Sequence, residues 1–230
     1  MPCSEDTSGR LLLLLQLADS AFPTGGFVHS GGLEAASQLG RLSGSGLAQH
    51  LQDSLANAAW SALALVVAGF HALGTPSTLV ELDALAEALL TTAAANRASR
   101  AMGQAWIATA AATFPDRPVA QLKRQLRAAA GPGHLAPWFG AGCASLEFDV
   151  EATRRLFLFL HLRGQISTAV RLGAIGPLAA QCLQADLAGT VEHLLAITAT
   201  ATLDDLALVA PLHEILHGHH DRLHSRMFAT

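Results

Sequence analysis

No stretch of this chain alternates apolar and polar residues with the two-residue period of a half-buried strand. Apolar residues return instead every three or four positions through Leu11–Leu17, Leu33–Leu42, Leu47–Leu73, Leu79–Leu90, Ala98–Ala111, Val119–Ala129, Val150–Leu172, Leu178–Ala199 and Leu206–Met227. That period belongs to the α-helix. Between these runs lie short clusters of turn residues, Ser20–Gly26, Ser43–Gly46, Gly74–Ser77, Pro115–Pro118, Gly131–Gly133 and Gly173–Pro177, the connections expected of a helical bundle. The absence of Tyr and the scarcity of other aromatics argue the same way, because strands favour aromatic and β-branched residues. The expected fold is an all-α, single-domain bundle of roughly nine to ten helices spanning residues 1–230. Residues 1–9 precede the first apolar run and are expected to be flexible, and no linker or fixed-period repeat divides the rest.

Apolar residues make up 51% of the 230-residue chain, enough for one large core. Ala58–Phe70 and the LFLFLHL run Leu156–Leu162 are apolar on every side, so the bundle or a second subunit must cover them. An oligomer would supply such cover. The stretch Ser54–Val80 carries no charge, but Asn57, Ser61, His71, Gly74 and Pro76 interrupt it. Its most apolar part falls short of the roughly 20 residues a membrane-spanning helix needs, which favours a core helix. Leu11–Leu15 resembles the apolar centre of an export signal, yet Glu5 and Asp6 outnumber Arg10 before it, the wrong charge for such a leader. The net charge of −4 and a single Lys, Lys123, leave no polybasic tract for nucleic acid. Cys3, Cys143 and Cys182 form no CxxC pair, so neither a disulfide framework nor a thiolate zinc site is indicated, and a cytoplasmic setting is expected.

Three stretches could carry chemistry or recognition. FPTGGFVHSGGLE, Phe22–Glu34, sets two glycine pairs around Phe27, His29 and Ser30. It lacks the Lys of a phosphate loop, the preceding strand of a dinucleotide site and, with Val28 in its place, the first Gly of a nucleophile elbow. A tight turn anchored by Phe22, Phe27 and Leu33 remains. HEILHGHHDRLHSRMFAT contains a literal HExxH at His213, Glu214 and His217, the spacing by which zinc hydrolases hold a metal and a general base on one helix face. At about 100° per residue, His213, His217, His220 and His224 would form one stripe beside a second of Leu212, Leu216, Leu223 and Met227. That edge can be a partner-docking surface able to hold Ni²⁺ or Zn²⁺ loosely, a set of solvated histidines, or a hydrolase site. In QISTAVRLGAIGPLAAQ, Arg171 precedes Gly173 and Gly176, either as a bidentate subunit contact or as a cap on its own helix.

Taken together these residues resemble the UreF family of urease accessory proteins. The family's N-terminal signature, approximately LLQLxxxxxPxGGFxxSxGLE, is filled by LLLQLADSAFPTGGFVHSGGLE from Leu13 to Glu34. Asn96, Arg97, Ser99, Arg100 and Gly103 resemble the family's polar mid-chain helix, and His134, Pro137 and Gly140 its HxPxxxG segment. Ser167, Ala169, Arg171, Leu172, Gly173, Gly176 and Gln181 resemble its SxAxRLGxxGxxxxQ run. HDRLHSRMFAT is similar to its ending, with Arg222, Leu223, Ser225, Arg226 and Phe228 in place. Two positions depart: His29 stands where many bacterial members have Tyr, and Thr230 where Ser is usual.

The resemblance implies an all-α protein that dimerises, binds UreD (UreH in some organisms) and recruits the GTPase UreG, the complex delivering Ni²⁺ to apo-urease. It implies no catalytic residue and no cofactor on this chain, Ni²⁺ and GTP being handled by the complex. Expected contact residues are Phe27, His29, Ser30, Glu34, Arg171, Arg222, Arg226 and Phe228, with 211–230 as a partner-binding tail. A zinc hydrolase on His213, Glu214 and His217, or a stand-alone nickel carrier on the histidine stripe, are the alternatives.

Overall fold

A computed structural model describes residues 5–230; the expected flexibility of residues 1–4 lies outside them. The described chain forms α1 (Glu5–Ala18), α2 (Leu33–Gln38), α3 (Gly46–His71), α4 (Pro76–Leu89), α5 (Ala93–Thr113), α6 (Val119–Ala129), α7 (Leu135–Ser145), α8 (Val150–Arg171), α9 (Pro177–Asp186), α10 (Ala188–Ile197) and α11 (Pro211–His219). Three 3-10 turns, Gly26–Val28, Leu203–Asp205 and His220–Arg222, complete it, with no strand among the described residues. The all-α class is as expected. The first helix begins at Glu5, earlier than the apolar run alone marks.

Local chemistry sets many of the ends. Pro76, Pro177 and Pro211 open α4, α9 and α11 at the first helical position, where the missing N–H would have no partner anyway. The Asp149 carboxylate accepts from the Ala152 N–H at 2.7 Å to cap α8, and the Thr92 hydroxyl accepts from the Ala95 N–H at 3.3 Å to cap α5.

At the centre, α3 packs along α7 and α8, while α5 and α6 cover another side of α7. The sequence reading does not anticipate α7, because LAPWFGAGCAS holds Pro137, Gly140 and Gly142. Pro137 lies in the first turn, where proline is tolerated. The glycines serve close approach: a Cβ on Gly140 would run into the Val66 carbonyl oxygen, and one on Gly69 into that of Pro137. The backbones of α3 and α7 therefore touch where side chains would hold them apart. The start of α7 is capped from another helix, Asp83 of α4 accepting from the Gly133 and His134 N–H groups at 2.8 and 2.7 Å.

The charge-free stretch supplies most of α3, whose Leu51, Leu55, Leu63, Leu65 and Val66 are buried. This is the one helix among the described residues long and apolar enough to cross a membrane, and 56% of its most apolar window is covered by the fold. Leu178–Ala199, read as one helix, breaks at Leu187 into α9 and α10. Leu187 turns into the core, so that α9 packs on α8 while α10 reaches both α3 and α8. Buried Arg154 of α8 closes that corner, donating to the Leu195 carbonyl at 2.8 Å and the Thr198 hydroxyl at 3.1 Å.

Candidate partner-binding surface

The two glycine pairs have separate jobs. Gly25 adopts φ +74° and turns the chain into the 3-10 segment that carries Phe27. Gly31 and Gly32, at φ +56° and +87°, start α2 in close quarters: a Cβ on Gly31 would collide with the Gln165 side chain of α8, and one on Gly32 would press on the His217 backbone of α11 at 3.1 Å. The turn is thus wedged between two helices from the far end of the sequence.

The last residues fold back onto this turn. The Ala229 N–H donates to the Val28 carbonyl at 2.8 Å and the Ser30 N–H to the Thr230 carbonyl at 2.5 Å. His29 Nδ1 and the Thr230 hydroxyl are 2.5 Å apart. Glu34, only 3% exposed, accepts from the Met227 N–H at 2.5 Å and the Phe228 N–H at 3.3 Å. Phe228 is 4% exposed. The Arg171 guanidinium lies 3.6 Å from the Phe27 ring centroid and 4.4 Å from that of Phe228, and donates to the Phe27 carbonyl. A cation held between two aromatic faces is favourable by electrostatics and dispersion.

Seven of the eight expected contact residues therefore meet in or beside one patch, but not all face outward. Ser30, Glu34 and Phe228 are buried and spend their bonding and packing on the chain's own last segment. What the patch presents is Phe27, 67% exposed, with Val28, Met227 and the half-exposed side chain of Arg226. Arg171 does not cap its own helix; it reaches across to Phe27 and Phe228. Arg222 stands apart, lining a shallow depression with Thr92 and Ile215. Arg97 of α5, 2.5 Å from Asp221, ties the last 3-10 turn to the body, a link with no local sequence signal.

The HExxH residues do not assemble as that motif suggests. Glu214 turns aside and accepts from Asn57 Nδ2 at 2.6 Å, and burial raises its pKa. His213 and His217 face inward against His50, with ring centroids 5.2 Å apart for His50–His213 and 6.0 Å for His213–His217. The helix ends at His219, so the expected stripe breaks: His220 is buried in the 3-10 turn, while His224 is exposed beyond it. The face α11 shows to solvent is Leu212 and Ile215, not histidine. Burial, reinforced by neighbouring imidazoles, pushes His161 and His217 down to about 4 and holds His213 well below its ordinary range. His29, His50 and His220 are lowered by burial too. Among the described residues no group of three or more His, Cys, Asp or Glu side chains is arranged to hold a metal ion.

The described residues thus form an all-α protein whose most distant segments converge on an aromatic and arginine patch, with the HExxH carboxylate turned away from its histidines. The family model described as UreF matches residues 43–188. The chain is 36% identical over 217 residues to urease accessory protein F of Oryza sativa subsp. japonica, covering 94% of this chain and 83% of that protein. It is 36% identical over 222 residues to urease accessory protein F of Arabidopsis thaliana, covering 94% and 90%. To urease accessory protein UreF of Allorhizobium ampelinum it is 29% identical over 246 residues, covering both chains fully. The chain belongs to the UreF family of urease accessory proteins.

Proposed function

We propose that this chain is a cytoplasmic, homodimeric scaffold that binds UreD (UreH) and recruits the GTPase UreG, so that Ni²⁺ reaches apo-urease. It holds no cofactor of its own and performs no catalytic step. The observation that carries this reading is the convergence of the glycine-rich turn, Arg171 and the last segment on one patch whose buried members fix the backbone and whose exposed members, Phe27, Met227 and Arg226, are left for a partner. A preorganised patch loses little freedom on docking. Coupling to GTP hydrolysis would follow if the scaffold bound one conformation of UreG more tightly than another.

The test is co-purification of this chain with UreD and UreG, with Phe27→Ala and Arg226→Ala beside the native sequence. Truncating an aromatic or arginine anchor at an interface commonly costs at least about 2 kcal/mol, about thirtyfold in affinity. Both substitutions are at exposed side chains, so circular dichroism should not change. Native affinity in both variants would refute the patch assignment. A chain that ignored both partners while retaining stoichiometric zinc would restore the hydrolase reading, and tight Ni²⁺ binding without partners the carrier reading.

A further inference from the structure

Six histidines from distant parts of the sequence converge beneath the last segment: His29 before α2, His50 on α3, His161 on α8, His213 and His217 on α11, and His220 in the 3-10 turn. Six of their twelve ring nitrogens are buried without a partner, while His50 has a backbone hydrogen bond at Gly31. His161 Nε2 meets the Ser54 hydroxyl at 2.7 Å and His29 Nδ1 that of Thr230, but His29 Nε2, His50 Nε2, His213 Nδ1, His217 Nε2 and both nitrogens of His220 are buried without a hydrogen-bond partner. A neutral imidazole tolerates such a site as a flat, weakly polar ring. A protonated one is penalised there, since it brings a charge and a further donor into a space with few acceptors.

The surrounding charges offer little relief. Glu34 on α2 lies 3.8 Å from His220 Nδ1 but is already bound to two backbone N–H groups. Asp53 on α3 acts on His50 alone in this cluster. On α8 the titratable group facing the cluster is His161, itself an imidazole. Arg97 on α5 and Arg226 in the last segment oppose protonation of His220, and both lie near Asp221, which partly balances them. Glu214 is engaged with Asn57. A first proton is thus poorly received and a second meets the first.

We infer that this histidine cluster is an acid-sensitive latch: while neutral it seats α11 and the last segment on the body, and on protonation it releases them, freeing residues 211–230 and uncovering the turn at Val28–Glu34. The inference goes beyond the partner assignment and does not depend on it. Releasing α11 returns His213 and His217 to water. Each histidine that regains its ordinary pKa on release makes the opening equilibrium grow about tenfold per pH unit of acidification below about 6.5. His213 and His217 together give about a hundredfold per unit, and His220, freed with the same segment, adds to it.

The experiment uses the full chain alone. Amide hydrogen exchange, corrected for intrinsic rates, is followed from pH 7.5 to 4.5 in 211–230 and in α3, with circular dichroism alongside. The expected result is that protection of 211–230 falls at least about a hundredfold per pH unit below pH 6.5, ahead of α3 and with helicity kept. His213→Gln and His217→Gln should each lower that slope by a factor of about ten per pH unit. Loss of protection in step with α3, no loss at all, or an unchanged slope in both variants would overturn the latch. If neither variant folds, the ring-proton titrations of the native chain decide: midpoints below about 5 for His213 and His217 support it, and midpoints near the ordinary 6.5 overturn it.

Discussion

Removing the Glu34 carboxylate should loosen the last segment without unfolding the body. Glu34 is nearly sealed from solvent, and its oxygens accept from two consecutive backbone N–H groups, at 2.5 Å from Met227 and 3.3 Å from Phe228. Hydrogen bonds to an ionised group contribute about 1.5–3 kcal/mol each, and in Glu34→Ala both donors lose their acceptor. The first bond is short and the second long, so the upper and lower parts of that range apply, and a combined loss of at least about 3 kcal/mol is expected. That is about 150-fold in the local opening equilibrium. The assay is hydrogen exchange at the Met227, Phe228 and Ala229 amides, with Leu55 in the middle of α3 as the reference for global opening. Glu34→Gln should be intermediate, since its amide oxygen still accepts one bond but its NH₂ faces the other donor. Protection of the three amides within threefold of native in Glu34→Ala would show that the aromatic and arginine packing alone holds the segment.

Three further outcomes follow from the packing. Gly140→Ala places a Cβ against the Val66 carbonyl oxygen, so urea denaturation should show a loss of about 2 kcal/mol or more, although alanine is favoured over glycine in an isolated helix by about 1 kcal/mol; a stabilised variant would mean that α3 and α7 part easily. Arg154→Met removes the guanidinium donor from the Leu195 carbonyl and from the Thr198 hydroxyl, which still donates to the Leu194 carbonyl, and should cost about 2–3 kcal/mol in the same measurement, with an unchanged midpoint counting against the corner between α8 and α10. Burial raises the Cys143 thiol well above its ordinary range while Cys182 is exposed, so a thiol reagent at pH 8 should label Cys182 in the folded chain and spare Cys143 until denaturant is added.

The elements that the sequence announces are those whose causes are local. The 3.6-residue period of α3 and α8, the turn clusters with Pro76 and Pro177 ahead of α4 and α9, and the turn chemistry of the glycine pairs all act within a few residues and can be read in a short window. The family signature is legible for the same reason: Pro23, the Gly25–Gly26 pair, Phe27, Ser30 and Glu34 keep their spacing along the chain. The helix α7 is not legible. Its glycines look like breakers until the backbone of α3 lies against them, and its cap comes from Asp83, fifty residues away from Gly133.

Sequence alone thus determined the helical class, most helix starts and the kinship with UreF proteins, since each rests on residue type and spacing. Tertiary structure decided the direction in which polar groups face. Glu34 and Phe228 are plausible surface contacts as letters, but become the inner fastening of the last segment once Met227–Thr230 folds over Val28–Ser30. The histidines of HEILH, read as a metal-binding edge, turn inward to meet His50 and His161 while Glu214 leaves for Asn57. Helical spacing tells which side chains share a face; which face is buried depends on what the rest of the chain packs against it.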